Sequence, residues 1–445
     1  MSKPTKAPQL EAVPAPNAEA TTSTTGEPSP SAANAEPVPG KRPPAKAPKT
    51  KKTPVAAAPR AEKVPTEEFN FGALVAGLKK KYEGKVFYGD EYTMPWLIRR
   101  LPTGLLELDL ALQGGLPAGG MTMIVGAESV GKNFLCNKIM ANQQRIYGDK
   151  CRLGIVSTEL VYDKLFGQDC GMYVPLSIEE IEAYCRSYRE MLGEDPPYEV
   201  LERMMAKVGD VVLVPPGTAE DSLDIAVDMI KSRQFNVVMI DSFGSLLTEN
   251  EDEKTFSDKA KVGGSANLNT SFARKLNAAM TPDSLGRPNL TCVIGINQMR
   301  ANMNKATPFS PDKVEAGAWA MKHGRWVTID LNRGERITVG EKDTKKVLGK
   351  NIHWEIKKQK AGGHEGAFGS FAHYFAIPGW DRAREVLRVA TQYKLLSKSG
   401  AWYIYGEQRL GNGLDAAAAN LEKNPELLVS LEKAVFVAAQ IHCNY

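Results

Sequence analysis

The sequence has no apolar run long enough to cross a membrane and no closely paired cysteines. A membrane-spanning helix needs roughly 20 consecutive apolar residues, and no such run occurs. The six cysteines are scattered without a CxxC pair, which argues against a zinc site or a disulfide framework and favours a reducing compartment. The five histidines show no metal-ligand spacing. We therefore expect a cytoplasmic protein without a membrane partner.

The first 65 residues contain no aromatic residue, yet they hold 14 of the 28 prolines. Such a segment cannot bury enough apolar surface to offset its ordering entropy, so we predict that residues 1–65 are disordered. Its ten Lys and Arg against five Glu give +5, whereas the whole chain carries +4, so the remainder is about −1. A basic tether for nucleic acid and a plain solvated linker both fit this charge. The four Glu in the first 40 residues argue against an organellar transit peptide.

A glycine-rich segment, GAESVGKN, occupies residues 126–133. It matches the phosphate-loop pattern G-x-x-x-x-G-K-[ST] at every fixed position except Asn133. An apolar run at 121–125 precedes it and a helical pattern at 132–146 follows, which is the strand–loop–helix context that the motif requires. The sequence therefore predicts a nucleotide site in which backbone N–H groups and Lys132 bind phosphates. The predicted loop residues are Gly126, Ala127, Glu128, Ser129, Val130, Gly131, Lys132 and Asn133.

Asn133 stands where a Ser or Thr hydroxyl normally contacts Mg²⁺. An amide oxygen can also bind Mg²⁺, but it is neutral, bulkier and differently angled. We therefore predict Asn133 and Asp241 as metal ligands. The substitution puts hydrolysis in question more than binding.

Polar residues follow three further apolar runs. Asp241 ends the run 237–240, where an acid beside a phosphate loop can hold Mg²⁺ directly or through water. Glu159 follows the run 153–157 and can orient or activate the attacking water, although a carboxylate at a helix start is equally consistent. Gln298 follows the run 291–296 and can sense a γ-phosphate, with a turn-capping amide as the alternative. A long polar loop at 300–317 comes next, and loops of that length are usually functional or mobile.

Apolar runs of strand length alternate with helical patterns from Leu101 onward, which predicts an α/β fold with a mainly parallel sheet flanked by helices. An amphipathic helix is predicted at Phe69–Tyr82, packed either on a neighbouring subunit or on its own core. The strand candidates beyond the phosphate loop are Leu153–Ser157, Val211–Val214, Val237–Ile240, Thr291–Ile296 and Trp326–Leu331. Helical patterns include Ser222–Arg233 and Ser265–Met280.

These features together resemble the bacterial RecA family of DNA-strand-exchange recombinases, from about Phe69 to Leu431. The most specific pieces are LPTGLLELDLALQGGLPAGG at 101–120, the phosphate loop, GINQMR at 295–300, IKKQKAG at 356–362 and SGAWYIYGEQRLGNG at 399–413. The last piece is similar to the C-terminal domain of that family, which replicative helicases of the same core fold are not expected to share.

The resemblance implies roles for individual residues. Lys132, Glu159 and Gln298 would be catalytic, and ATP with Mg²⁺ would be the cofactors. Asp163 and Phe166 match the residues that hold adenine. Two DNA-binding loops would lie near 251–264 and 300–317. Their predicted contacts are Val262, Gly263, Gly264, Arg300 and Met303, in which apolar side chains wedge between bases and Arg300 supplies charge.

The resemblance also implies an assembly. Lys358 and Lys360 match the lysine pair that reaches ATP on the neighbouring subunit of a helical filament. The implied division is a disordered tail at 1–65, a helix and linker for subunit docking at 66–100, a RecA-like ATPase core at 101–380 and a small α+β C-terminal domain at 381–445. Single- and double-stranded DNA would be the partners.

Several positions depart from the family pattern, which indicates a divergent member, with a phage as one candidate source. Asn133 replaces a Thr, residues 315–318 read EAGA where the family has a Thr-Thr-Gly-Gly run, and His323 replaces a Phe used between subunits. Two functions follow as hypotheses. One is an ATP-dependent recombinase that pairs single strands with homologous duplex. The other is a non-hydrolysing structural filament or DNA-coating protein. A hexameric motor, the third option, would form closed rings.

Overall fold

The computed structural model describes residues 70–244, 246, 264–301, 313–315, 319–340, 345–375 and 381–441. The predicted disordered tail at 1–65 lies outside these residues. Among the helices that the structure describes, none is both long and apolar enough to cross a membrane.

One large sheet organises the molecule, with strand order β11-β10-β9-β3-β7-β6-β4-β5 and β8 paired to β7. The pairings among β3, β4, β5, β6, β7 and β9 are parallel, whereas β8, β10 and β11 pair antiparallel. This confirms the predicted mainly parallel α/β sheet. The strand bounds are β3 Met121–Gly126, β4 Arg152–Ser157, β5 Asp210–Val214, β6 Val237–Asp241, β7 Cys292–Ala301, β8 Lys313–Glu315, β9 Val327–Val339, β10 Lys346–Gln359 and β11 Phe368–Tyr374.

Helices cover both faces of the sheet because successive side chains of a buried strand point to opposite faces. On β3, Ile124 packs in one apolar core, whereas Met121, Met123 and Val125 pack in the other. The helix bounds are α1 Phe71–Lys81, α2 Pro95–Ile98, α3 Leu106–Ala111, α4 Lys132–Tyr147, α5 Lys164–Asp169, α6 Ile178–Leu192, α7 Tyr198–Met205, α8 Ala219–Lys231, α9 Gly264–Ala279 and α10 Trp319–Gly324. The first core contains side chains of α4, and the second contains side chains of α8 and α9.

A third apolar core belongs to the C-terminal part of the chain, and Leu106 of α3 also packs in it. This part combines a small antiparallel sheet with three helices, as the predicted α+β C-terminal domain requires. Its elements are α11 Arg382–Gln392, β12 Ser397–Ser399, β13 Trp402–Tyr405, β14 Gln408–Asn412, α12 Leu414–Lys423 and α13 Pro425–Ala438. A short ribbon of β1 Arg100–Leu101 and β2 Leu116–Pro117 completes the fold. The exact domain boundaries stay predictions.

The predicted amphipathic helix at 69–82 forms as α1. The side chain of Asn70 caps its first turn, accepting from the Ala73 N–H at 3.0 Å. Only Val75 of this helix is buried, whereas Phe71 keeps 61% of its surface exposed. The helix therefore does not bury its apolar face in the described part of its own core. Helices α6 and α7 correspond to no pattern noted in the sequence.

Candidate nucleotide site

The phosphate loop lies between β3 and α4 at the carboxyl edge of the parallel strands. Both glycines have close neighbours: a Cβ at Gly126 would lie 2.6 Å from the Leu331 carbonyl oxygen, and one at Gly131 would lie 2.5 Å from Ile352 Cδ1. Gly131 also has a φ of 120°, which side chains with a Cβ rarely adopt. Strands β9 and β10 therefore approach the loop closely at Leu331 and Ile352.

Lys132 is the first residue of α4 and is 8% exposed. Its Nζ donates to the carbonyl oxygens of Gly126 at 3.1 Å and Ala127 at 2.8 Å. Burial lowers the pKa of this lysine, whereas the nearby Asp241 and Glu159 carboxylates favour its charged form. A phosphate at the helix N-terminus would add a further counter-charge.

Asn133 and Asp241 meet directly: Asn133 Nδ2 donates to Asp241 Oδ2 at 2.7 Å. An ionised carboxylate can only accept, so the amide must present its NH₂ group to Asp241. Burial raises the pKa of Asp241 to about 6. Mg²⁺ takes oxygen ligands, so Asp241 fits a metal site, whereas Asn133 in this orientation does not. Among the described residues there is no cluster of three or more His, Cys, Asp or Glu that would form a protein-only metal site.

Glu159 lines the same cavity as Asn133 and Asp241, and two hydrogen bonds hold its carboxylate. Its Oε1 accepts from Ser242 Oγ at 2.6 Å and from Gln298 Nε2 at 3.1 Å. Strands β4, β6 and β7 are neighbours in the sheet, so their carboxyl ends bring together Glu159, Ser242 and Gln298. Thr158 braces the arrangement, because its Oγ1 donates to the Ser242 carbonyl oxygen at 2.8 Å. The resulting group can hold a carboxylate in one orientation, as water activation requires.

A cavity of 410 Å³ joins these residues. Asp163 and Phe166 line it at the start of α5, where Asp163 Oδ1 accepts from the Phe166 N–H at 2.9 Å. The structure thus brings together most of the predicted nucleotide residues in one cavity, although their roles stay predictions. Predicted site residues that line it are Glu128, Ser129, Gly131, Lys132, Asn133, Glu159, Asp163, Phe166, Asp241 and Gln298.

Sequence reasoning missed part of this cavity. Lys350 of β10 and His373 of β11 line it, as does Ser242. The His373 ring stacks on Phe134 with centroids 3.9 Å apart, and burial lowers its pKa to about 4. Lys350 lies 221 residues beyond Ser129, the loop residue whose carbonyl it contacts. No motif marks either residue, because they are single polar positions within antiparallel strands.

Lys358 and Lys360 do not line this cavity. Lys358 lies opposite Thr328, which pairs with Met123 near the start of β3, so it lies far along β10 from Lys350. Its Nζ donates to the Lys322 carbonyl oxygen, and Lys360 Nζ donates to that of His323 at 3.1 Å. Burial, together with the charge of Lys360, lowers the pKa of Lys358 to about 8. Their predicted reach to ATP on a neighbouring subunit stays a prediction.

The predicted DNA contacts fall mostly outside the described residues. Val262, Gly263 and Met303 lie outside them. Gly264 begins α9, and the backbone of Arg300 belongs to β7.

Comparison with known proteins identifies the family. The RecA N-terminal domain model matches residues 194–364, and the RecA C-terminal domain model matches residues 384–440. The protein RecA of Chloroflexus aurantiacus is 26% identical over 375 residues, covering 83% of this chain and 92% of the relative. The protein RecA of Chlamydia trachomatis is 28% identical over 370 residues (83% and 91%), and that of Chlamydia abortus is 28% identical over 365 residues (82% and 90%). The chain therefore belongs to the RecA family of recombination and repair proteins, as a divergent member.

Proposed function

We propose that the chain is an ATP-dependent recombinase of the bacterial cytoplasm. It would assemble as a helical filament on single-stranded DNA, pair that strand with a homologous duplex and promote strand exchange. Hydrolysis of ATP would recycle the filament. The observation that carries this proposal is the hydrogen-bonded group of Glu159, Ser242 and Gln298 beside Lys132 in one cavity.

Each residue in that cavity has a proposed task. Lys132 and the loop N–H groups would bind the phosphates, and Asp163 with Phe166 would hold the adenine. Glu159 would orient the attacking water, while Ser242 and Gln298 keep its carboxylate in place. When bound, Mg²⁺ would neutralise charge on the phosphate oxygens, with Asp241 holding it directly or through a water.

Communication with DNA would pass through β7. Gln298 lies on this strand, three residues before its end at Ala301, and the predicted second DNA loop follows. Contact of Gln298 with a γ-phosphate would therefore bias the loop and change DNA affinity, which is a reciprocal coupling between two sites. Lys358 and Lys360 would complete the site of the adjacent subunit and couple hydrolysis to the filament.

The second candidate function is a filament that binds ATP without hydrolysing it. Asn133 favours this second function, because its amide donates a hydrogen bond to the Asp241 carboxylate that would hold the metal. The organised partners of Glu159 argue against it, since a static clamp has no need for an oriented carboxylate. We therefore place hydrolysis first.

The test is ATP turnover with and without single-stranded DNA, measured for the unaltered chain and for Lys132→Ala. We expect DNA to stimulate turnover in the unaltered chain, and Lys132→Ala to lose roughly 100-fold or more, since it removes a charged phosphate contact in a buried site. Lys150→Ala serves as the control, because Lys150 is an exposed lysine just after α4, the helix that begins at Lys132. Tight ATP-dependent DNA binding without turnover would support the clamp instead.

A further inference from the structure

Three cationic side chains donate hydrogen bonds to four successive backbone carbonyl groups of the phosphate loop. Lys132 contacts the carbonyls of Gly126 and Ala127. Arg333 Nη2 donates to the Glu128 carbonyl at 2.9 Å, and Lys350 Nζ donates to that of Ser129 at 2.6 Å. These hydrogen bonds occupy the carbonyl groups of the loop and leave its N–H groups available to bind an anion. The loop is thus surrounded by more positive charge than its own lysine supplies.

Of the two added cations, Lys350 is the one that lines the cavity. Its ammonium group has three donors, one of which contacts Ser129, so it retains capacity for an anion. Burial lowers the pKa of Lys350, and the charge of Arg333 lowers it further. A phosphate bound in the cavity beside Lys350 would favour its charged form and so oppose both shifts. Lys350 is therefore suited to contact the phosphates of a nucleotide in its own subunit.

The predicted metal position of the same site, at Asn133 and Asp241, differs from this phosphate-binding part. The hydroxyl that usually contacts Mg²⁺ is absent, and the amide of Asn133 donates to the Asp241 carboxylate at 2.7 Å. For Asn133 to become a ligand, its amide would have to turn over, which breaks this hydrogen bond and directs its oxygen at a carboxylate. Mg²⁺ takes oxygen ligands, so the NH₂ group that Asn133 presents to Asp241 does not serve it in this orientation. Lys132 and Lys350 therefore supply positive charge to a site in which Asn133 does not provide the usual metal ligand.

We propose that this site binds the triphosphate of ATP mainly through Lys132 and Lys350, so that affinity depends little on a divalent cation. The inference rests on the proposed ATP site and concerns binding alone. Turnover can still require Mg²⁺ through Asp241, because affinity and hydrolysis use different parts of the cavity.

The experiment is titration calorimetry of ATP into DNA-free protein, in Mg²⁺ and in EDTA. We expect the unaltered chain to bind ATP in the two buffers with dissociation constants that agree within about threefold. Asn133→Thr should bind roughly tenfold or more tightly in Mg²⁺ than in EDTA, because its hydroxyl adds a metal contact while Lys132 and Lys350 are unchanged. A tenfold or larger loss for the unaltered chain on chelation would overturn the inference while leaving the ATP site intact. Absence of ATP binding in both buffers would instead refute the proposed function.

Variants of Lys350 test the role of its charge. Lys350→Ala should weaken ATP binding in EDTA by roughly 10- to 100-fold, the range expected for one charge-assisted hydrogen bond, and Lys350→Arg should retain most of the affinity. Lys346→Ala is the matched control, because it removes an exposed lysine of the same strand that does not line the cavity. Equal affinities for Lys350→Ala and Lys346→Ala in EDTA would overturn the assignment.

Discussion

The nucleotide cavity has two walls of different origin. The parallel-strand wall consists of Glu159, which follows β4, Asp241, which ends β6, and Gln298, which lies three residues before the end of β7. The antiparallel-strand wall consists of Lys350 and His373, which lie within β10 and β11. The first wall carries the acids and the amide that the proposed hydrolysis would use, and the second adds a cation and a stacked ring. We therefore expect substitutions in the first wall to change turnover more than ATP affinity, and substitutions in the second wall to change affinity.

The largest effect that separates the walls is expected at Glu159. Glu159→Gln should lower DNA-stimulated turnover by roughly 100- to 1,000-fold, because an amide cannot act as the base for the attacking water. ATP affinity, measured by calorimetry, should change by less than about threefold, since no phosphate contact is removed. Glu128→Gln is the control, because Glu128 lines the same cavity without contacting Ser242 or Gln298. A parallel loss of affinity and turnover in Glu159→Gln would remove the distinction between the walls.

His373 should give the antiparallel-strand wall a pH dependence of its own. Burial lowers its pKa from 6.5 to about 4, so its contribution to stability is complete above pH 6.5 and is lost as the pH falls toward 4. At pH 5 this loss should amount to about 2 kcal/mol in the free energy of unfolding. Denaturant unfolding at pH 7 and pH 5 measures it.

His373→Phe should reduce that difference, because a phenyl ring keeps the stack on Phe134 without titrating. His364→Gln, at an exposed position, should leave the difference unchanged. If His373→Phe loses as much stability between the two pH values as the unaltered chain does, the loss arises elsewhere and His373 is already protonated at little cost.

The smallest of these effects is expected at Asn133, between the walls. Asn133→Thr should raise turnover by about tenfold, equivalent to about 1.4 kcal/mol, because a hydroxyl oxygen can contact Mg²⁺ without opposing Asp241. Steady-state turnover in saturating Mg²⁺ and DNA measures the change. Asn133→Ser gives a second hydroxyl for comparison. Unchanged turnover in both variants would show that the amide does not limit hydrolysis.

The fold was largely predictable because each element leaves a repeating pattern. The run at 121–125 became β3, and the helical spacing after Lys132 became α4. The residues of the parallel-strand wall were predictable for the same reason: a polar residue after a buried run marks the carboxyl end of a strand, and parallel strands place those ends at one edge. Their roles, and those of Lys358 and Lys360, stay predictions until they are measured.

The antiparallel-strand wall could not be predicted in this way. Lys350 and His373 are single polar residues in strands, and a strand pattern does not reveal which residue of a distant loop each will face. Ile352 of β10 lies beside Gly131, where a Cβ would be only 2.5 Å from Ile352 Cδ1, so β10 approaches the loop closely. Such an approach depends on the sheet order β10-β9-β3, which joins segments more than 200 residues apart.

The sequence by itself determined the α/β class, the phosphate loop and the positions of Glu159, Asp241 and Gln298, because these follow from local periodicity and from residues adjacent along the chain. It also determined that Asn133 lacks the usual hydroxyl. Only the tertiary structure decided that the Asn133 amide donates to Asp241 and that Lys350 joins the phosphate loop. The physical reason is that hydrogen bonds between distant segments depend on strand order and register, which local patterns do not specify.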